Sequence, residues 1–469
     1  MGAYRMTVRR TILLLAATTG YQTRAFAERA GRLGLEVVLA TDRCKGLGDA
    51  WGDRSIAVRF HDPFAYLNKL EAAARERPFA SIVAVGDRPT FLAALAAERL
   101  GIPYHPPAAV EACNNKYLAR ERYRAAGLLV PEYFRIALEE DPGKAASRAP
   151  FPCVLKPLGL SGSRGVIRAD NQPEFVAAFE RIKALLESRE FVIQPNERNR
   201  WVQVESFIPG REFAIEALVT EGRLQVLALF DKPDPLDGPF FEETICVTPS
   251  RQSAASQNEL IETIRRGVEA LGLRRGPLHA EARLNQQGAW ILEMAARPIG
   301  GLCARALRFD GEMPLEELIL RHALGEDVSW ARQMDPASGV MMIPIPRAGV
   351  YENVQGLEQA REVPGVFDVL ITATPGQKLA PLPEGGSYLG FIFARGNAPG
   401  QVEQALRQAH QTLEFQIAAT LPVMTSTTSS PGERSPAEKP PPPQRSTVPC
   451  GGAGIPAPPE RPGSDDTRS

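Results

Sequence analysis

Leu278-His279-Ala280-Glu281-Ala282-Arg283-Leu284, followed by Asn285-Gln286-Gln287-Gly288 and Ala289-Trp290-Ile291-Leu292-Glu293-Met294, reads as strand, turn, strand. Gly288 suits the left-handed position of a three-residue loop, Gln286–Gly288. That loop sets Glu281 directly opposite Glu293. In this register Leu278, Ala280, Ala282, Leu284, Trp290, Leu292 and Met294 share a core face, and His279, Glu281, Arg283 and Glu293 share the other. Like charges opposite one another, with Cβ atoms roughly 5 Å apart, destabilise a bare sheet. A shared divalent cation removes that repulsion, because Mg²⁺ takes carboxylate and phosphate oxygens. The other reading is a solvated hairpin face on which Arg283 and Arg297 neutralise the glutamates.

Two upstream stretches extend the chemistry. Phe151-Pro152-Cys153-Val154-Leu155-Lys156-Pro157 is a buried strand ending in lysine, and Gly159-Leu160-Ser161-Gly162-Ser163-Arg164-Gly165 follows it. Such a loop lets backbone N–H groups close on phosphate oxygens, and the strand's lysine reaches the same place. It is no Walker loop, since no Gly-Lys-Ser/Thr ends it and no helix follows. The other reading is a mobile hairpin that holds no ligand. Trp201 to Phe213 reads as a second hairpin with a tight Pro209-Gly210 turn, whose apolar residues suit a purine ring.

The rest of the chain bounds these features. It has 469 residues, the length of about three domains. Its 54 Lys+Arg against 55 Asp+Glu leave no basic excess for a nucleic-acid backbone. Only 9 of the 54 are lysine, so each lysine near a glycine-rich or buried stretch stands out. Six scattered cysteines without a C-x-x-C pair argue against a disulfide framework or zinc site and fit a reducing cytoplasm. Arg9-Arg10, the apolar run Ile12–Ala17 and Ala25-Phe26-Ala27 mimic a secretory leader, but the run is short and reads as a first buried strand. No stretch of 18 apolar residues marks a membrane span. Strand and helix patterns alternate over 11–105 and predict a small parallel sheet. Its first turn lacks G-x-G-x-x-G, so no dinucleotide site is assigned. Antiparallel strands broken by a helix at Asn258–Leu271 fill 201–295, and a further α+β unit fills 340–415. From Thr425 onward a Pro/Ser/Thr/Gly-rich composition predicts disorder.

Taken in order, the motifs resemble the ATP-grasp superfamily. They are Asn115-Lys116-Tyr117-Leu118-Ala119-Arg120, Val154-Leu155-Lys156-Pro157 with its glycine loop, Val204-Glu205-Ser206-Phe207-Ile208-x-Gly210-x-Glu212, His279-x-Glu281-x-Arg283 and Glu293-x-x-x-Arg297. The implied fold class is α/β and α+β: a Rossmann-like preATP-grasp domain over 1–108 and an ATP-grasp domain over 109–330 with a lid at about 130–205. A C-terminal α+β unit over 331–420 and a disordered tail over 421–469 complete it. The resemblance implies that Lys116 and Lys156 bind phosphates and that Ser161, Gly162 and Ser163 close over them. It gives Glu205, Phe207 and Ile208 to adenine, Glu212 to the ribose, Glu281 and Glu293 to Mg²⁺ (or Mn²⁺), and Arg297 to the acyl phosphate. Many members carry Asn two residues after the second glutamate; Ala295 stands there.

Within the superfamily the chain looks most like the bacterial L-amino acid ligases. Arg297-Pro298-Ile299-Gly300-Gly301 forms a backbone nest for a carboxylate, and Asp231-Lys232-Pro233 with Phe241-Glu242-Glu243-Thr244 precedes it in that group's manner. Glu243, with Glu242 next, is the implied contact for a substrate ammonium; a structural loop charge is the other reading. The expected reaction joins a small carboxylate and an amine through an acyl phosphate at the expense of ATP. A cytoplasmic homodimer without nucleic-acid or membrane partners completes the expectation. The rival readings are a biotin-carboxylase-like or formyl-phosphate ATP-grasp enzyme, a nucleotide-binding protein without turnover, and a structural protein.

Overall fold

The computed structural model describes residues 10–17, 21–42, 54–192 and 196–419. The expected tail, Cys44, Cys450 and the Thr18–Gly20 turn lie outside the described residues. The first strand, Thr11–Ala16, is buried along its whole length and pairs in parallel with Glu36–Thr41 and Phe79–Val85. Its residues feed two cores. Ile12 and Leu14 pack on one face of the four-stranded sheet, and Leu13 and Leu15 on the other. Apolar residues on both faces are what a covered parallel sheet requires. Ala25–Ala27 lies inside the helix Tyr21–Arg32.

The lid is a four-stranded sheet of Tyr133–Ala137, Trp201–Ser206, Cys153–Pro157 and Ile167–Ala169, in that spatial order, covered by the helix Gln172–Leu186. The expected hairpin over 201–213 is corrected here. Trp201–Ser206 belongs to the lid sheet, but Arg211–Thr220 belongs to the central eight-stranded sheet. Phe207–Gly210 is therefore the crossing between them. Gly210 (φ 119°) makes the crossing feasible, since a Cβ there would lie 2.4 Å from the Leu284 carbonyl oxygen.

The central sheet also takes in strands of the C-terminal unit. Ala337–Ile343, Gly390–Gly396 and Val366–Ile371 continue the same sheet outward from Ile245–Thr248. At its other edge Arg275–Asn285 pairs with Gly288–Ala295, and Glu281 faces Glu293 as expected. The route differs. Asn285 pairs with Gly288, so the loop has two residues, and a bulge at Leu292 restores the Glu281–Glu293 register. The slip of one residue turns Ala289 and Ile291 into the core with Met294, and Trp290 and Leu292 leave it. Leu292 instead lines the cavity described next. No helix among the described residues is long and apolar enough to cross a membrane.

Candidate active site

A cavity of about 480 Å³ lies between the lid, the central sheet and the C-terminal segment around Ser387. Of the residues that the sequence reading assigned to the site, Lys116, Lys156, Ser161, Gly162, Ser163, Glu205, Phe207, Ile208, Glu212, Glu243, Glu281, Glu293, Arg297, Gly300 and Gly301 line it, and Glu242, the second choice for the ammonium contact, does not. Their partners decide what each is able to do.

Glu205 is 1% exposed and fully engaged. Arg120 donates through Nε to Oε1 at 2.7 Å and through Nη2 to Oε2 at 3.2 Å; Lys156 donates to Oε2 at 2.5 Å and Gln203 to Oε1 at 2.5 Å. Burial alone would raise this carboxyl, but the charges of Arg120 and Lys156 outweigh it and hold the pKa at about 2. Glu205 is thus a buried counter-ion, and the expected adenine contact has no free oxygen behind it. Lys156 loses proton affinity through burial, with Arg120 and Lys116 adding to the effect against Glu205. Lys116 binds the Leu160 carbonyl at 2.8 Å and lies 3.8 Å from Glu293, so it ties the glycine loop to the central sheet.

A second knot centres on Lys232, whose ammonium lies 2.9 Å from Glu212, 2.8 Å from Glu243 and 3.2 Å from Glu281. Oxygens of these three glutamates converge within 4.8 Å, a spacing suited to a metal ion, but the lysine supplies the cation among them. Burial lowers Lys232, and the three carboxylates more than reverse that. Burial and the neighbouring Glu281 charge push Glu243 up to about 7, and Glu281 stays well below its ordinary value because Lys232 and His279 outweigh its burial. Glu212 gives its other oxygen to Arg283 at 2.9 Å, so a ribose hydroxyl would share a carboxylate already bonded on both sides. The pair placed to face a divalent ion is Glu281, which already meets Lys232 at 3.2 Å, and Glu293, 3.8 Å from Lys116; the two face each other at the cavity wall. Two half-buried carboxylates opposite one another fit such an ion. Ala295 adds no ligand atom.

Arg297 is held by the N-terminal unit. Its Nε and Nη2 donate to the two oxygens of Asp87 at 2.8 and 3.2 Å, the bidentate fork that fixes a guanidinium plane. Burial would raise Asp87; Arg297, with Ser161 and Lys116 nearby, holds it below its ordinary value. Beside it, Glu216 Oε2 accepts from the Ile299 N–H at 3.1 Å and contacts His279 Nδ1 at 3.2 Å. Burial lowers His279, but Glu216 and Glu281 lift it to about 9. One N–H of the expected carboxylate nest is therefore occupied by the protein's own carboxylate. Gln22 donates to the carbonyls of Ile299 and Gly301 at 3.1 and 2.6 Å and fixes the same turn.

The glycine loop meets the C-terminal unit as well. Gly165 donates to the Pro383 carbonyl at 2.8 Å, Arg164 Nε to the Glu384 carbonyl at 2.7 Å, and Arg181 on the lid helix pairs with the Glu384 carboxylate.

Sequence reasoning assigned no role to Arg120, Lys232, Asp87 and Glu216. Arg120 lies four residues after Lys116 on the helix Lys116–Ala125, the spacing that puts both on one face. Lys232 is one of the rare lysines. Asp87 follows the buried strand Phe79–Val85 at its carboxyl end, where open α/β sheets place ligands. Glu216 shares the face of Glu212 by strand period.

The fold agrees with comparison to known proteins. The chain matches the ATP-grasp domain over residues 149–306 and the ATP-grasp N-terminal domain over 27–104. Residues 341–418 match the L-amino acid ligase C-terminal domain 2. The chain belongs to the ATP-grasp superfamily, and its last unit is of the L-amino acid ligase type. It is similar to the crystal structure of an L-amino acid ligase from Bacillus licheniformis, with TM-score 0.72 and 25% identity, covering 88% of this chain and 100% of that one. It is also similar to alanine–anticapsin ligase of Bacillus subtilis, 26% identical over 44% of this chain and 46% of the relative. Dapdiamide A synthase of Enterobacter agglomerans is 28% identical over 40% and 43% respectively. The chain spans about half the length of these two curated relatives.

Proposed function

We propose that the protein is an ATP-dependent carboxylate–amine ligase that produces ADP and acts on amino-acid-like substrates. The observation that carries this reading is the convergence on one cavity of the lysines beside a glycine loop, the facing pair Glu281 and Glu293, and an arginine clamped by Asp87. In the reaction a substrate carboxylate oxygen attacks the γ-phosphorus of ATP, the bond to the ADP oxygen breaks, and an acyl phosphate forms. The amine nitrogen then attacks the acyl carbon, the bond to phosphate breaks, phosphate leaves, and the amine gives up a proton. A Mg²⁺ ion held by Glu281 and Glu293, with Mn²⁺ as a substitute, would neutralise phosphate charge when bound.

Arg297 supplies fixed positive charge where the acyl phosphate and tetrahedral intermediate gain negative charge, and its fork with Asp87 removes the cost of orienting it. Lys156 becomes available to phosphate by releasing Glu205, which keeps Arg120 as its partner. Lys116 brings the glycine loop down through Leu160, which keeps water from the acyl phosphate. Glu243 faces the substrate ammonium. The test is a screen of amino-acid pairs for ADP release, with mass detection of products. An amide formed with one ADP and one phosphate supports the reading. AMP formation, or ADP release indifferent to both substrates, would overturn it.

A further inference from the structure

The cavity wall is divided by charge. Its ten ionisable acidic and basic side chains all come from positions between Lys116 and Arg297. Beyond Arg297 the lining is uncharged, and the C-terminal unit contributes Met342, Thr372, Gln377, Ser387, Tyr388 and Phe391. Two thiols from the central part, Cys246 and Cys303, join this end. Cys246, Cys303, Met342 and Phe391 are buried to 4% exposure or less, and the Tyr388 ring stands edge-on to Phe391 with centroids 6.0 Å apart. Gly301 keeps the Phe391 ring open, since a Cβ there would come within 3.1 Å of it. Glu243 borders this chamber, near enough for its charge to raise the proton affinity of Cys303, Cys246 and Tyr388 in addition to their burial.

We propose that this chamber is the side-chain pocket for the substrate whose ammonium faces Glu243, and that this substrate is an α-amino acid with an apolar side chain. The assignment rests on the ligase reading for its place in the reaction. Two thiols, a thioether and two aromatic rings offer polarizable apolar contact, and sulfur packs well against ring edges. A charged side chain entering there would lose its water and meet no opposite charge from the C-terminal unit. Thr372, Gln377 and Ser387 are neutral and bring no opposite charge to pair with an ion.

The experiment has two arms on the full chain. Equilibrium dialysis with Mg²⁺ and a non-hydrolysable ATP analogue measures binding of labelled leucine without turnover. Displacement by methionine and phenylalanine, but not by aspartate or lysine, supports the pocket; tighter binding of aspartate or lysine, or no leucine binding, overturns it. The second arm measures kcat/KM for ADP release across the series glycine, alanine, 2-aminobutyrate and norvaline. A rise of about tenfold per added methylene is expected. Met342→Gln, close in length, should lower the leucine value about tenfold through KM while glycine changes little and the melting temperature holds. An equal loss for all substrates would overturn the assignment. If Met342→Gln melts early, Tyr388→Leu at the half-exposed edge gives the same comparison. Leucine binding without amide from any pair would sink the ligase reading while the pocket stands.

Discussion

Replacing Arg120 with methionine tests the most buried electrostatic feature of the site. Arg120 and Glu205 are each 1% exposed. Arg120→Met removes two charge-assisted bonds to Glu205 and leaves the Ile291 and Leu292 carbonyls, each 3.0 Å from the guanidinium, without that donor. Removing one partner of a buried ion pair costs about 3–5 kcal/mol. The orphaned carbonyls add about 1 kcal/mol or more each. Lys156 and Gln203 still hold Glu205 and limit the loss, so a total of about 3–5 kcal/mol is expected. Urea unfolding followed by tryptophan fluorescence measures it, and a cycle with Glu205→Gln isolates the pair. Lys156, now the main counter-charge of Glu205, should also serve phosphate less well, raising the KM for ATP. A loss below about 1 kcal/mol, with unchanged KM, would refute the reasoning that this cluster is a desolvated, mutually dependent unit.

Three further outcomes follow from the geometry. Asp87→Asn should cut kcat about tenfold or more, because it frees Arg297, with a smaller rise in the KM for ATP through Ser161 and Lys116, which also neighbour Asp87; an unchanged kcat in steady-state assays would contradict this. Glu384→Ala should loosen the contact between the C-terminal unit and the lid helix, so that ADP release exceeds amide formed as water reaches the acyl phosphate. A ratio that stays at one would exclude a sealing role. His105, buried and hydrogen-bonded to Pro277, is held down to about 4 mainly by burial, so the folded protein resists its protonation while the unfolded chain accepts a proton below about 6.5. Its contribution is present above pH 6.5 and is lost as pH falls through 4, at about 1.4 kcal/mol per unit. His105→Gln should flatten the stability profile between those values, and a parallel profile would refute the assignment.

Local pattern made the N-terminal sheet and the helices legible, because Ile12–Ala16 and Val37–Ala40 are apolar on both faces and the helices carry apolar periodicity. The facing of Glu281 and Glu293 was legible too, although two departures from the simple hairpin cancel to produce it. A two-residue turn shifts the register by one and the bulge at Leu292 shifts it back, and only the intervening Ala289–Ile291 reveals the difference. The split at Phe207–Gly210 was not legible, since two strands joined by Pro-Gly look alike whether they pair with each other or enter different sheets. The union of Ala337–Ile343 with Ile245–Thr248 was hidden for the same reason: strand pairing across about a hundred residues leaves no local trace. The site's residues emerged by motif, but their resting partners did not. Asp87 reaches Arg297 across 210 positions, and no spacing rule connects them.

The central claim is that a substrate carboxylate is phosphorylated at this cavity. Its most direct test uses an amino acid labelled with ¹⁸O in the carboxylate, incubated with the protein, Mg²⁺, ATP and the partner amine. The released phosphate is then analysed by mass spectrometry. The account predicts one ¹⁸O in each phosphate formed with amide, and none in phosphate from Arg297→Ala, which should not turn over. Unlabelled phosphate alongside amide would contradict it, because the carboxylate would then have been activated without forming an acyl phosphate.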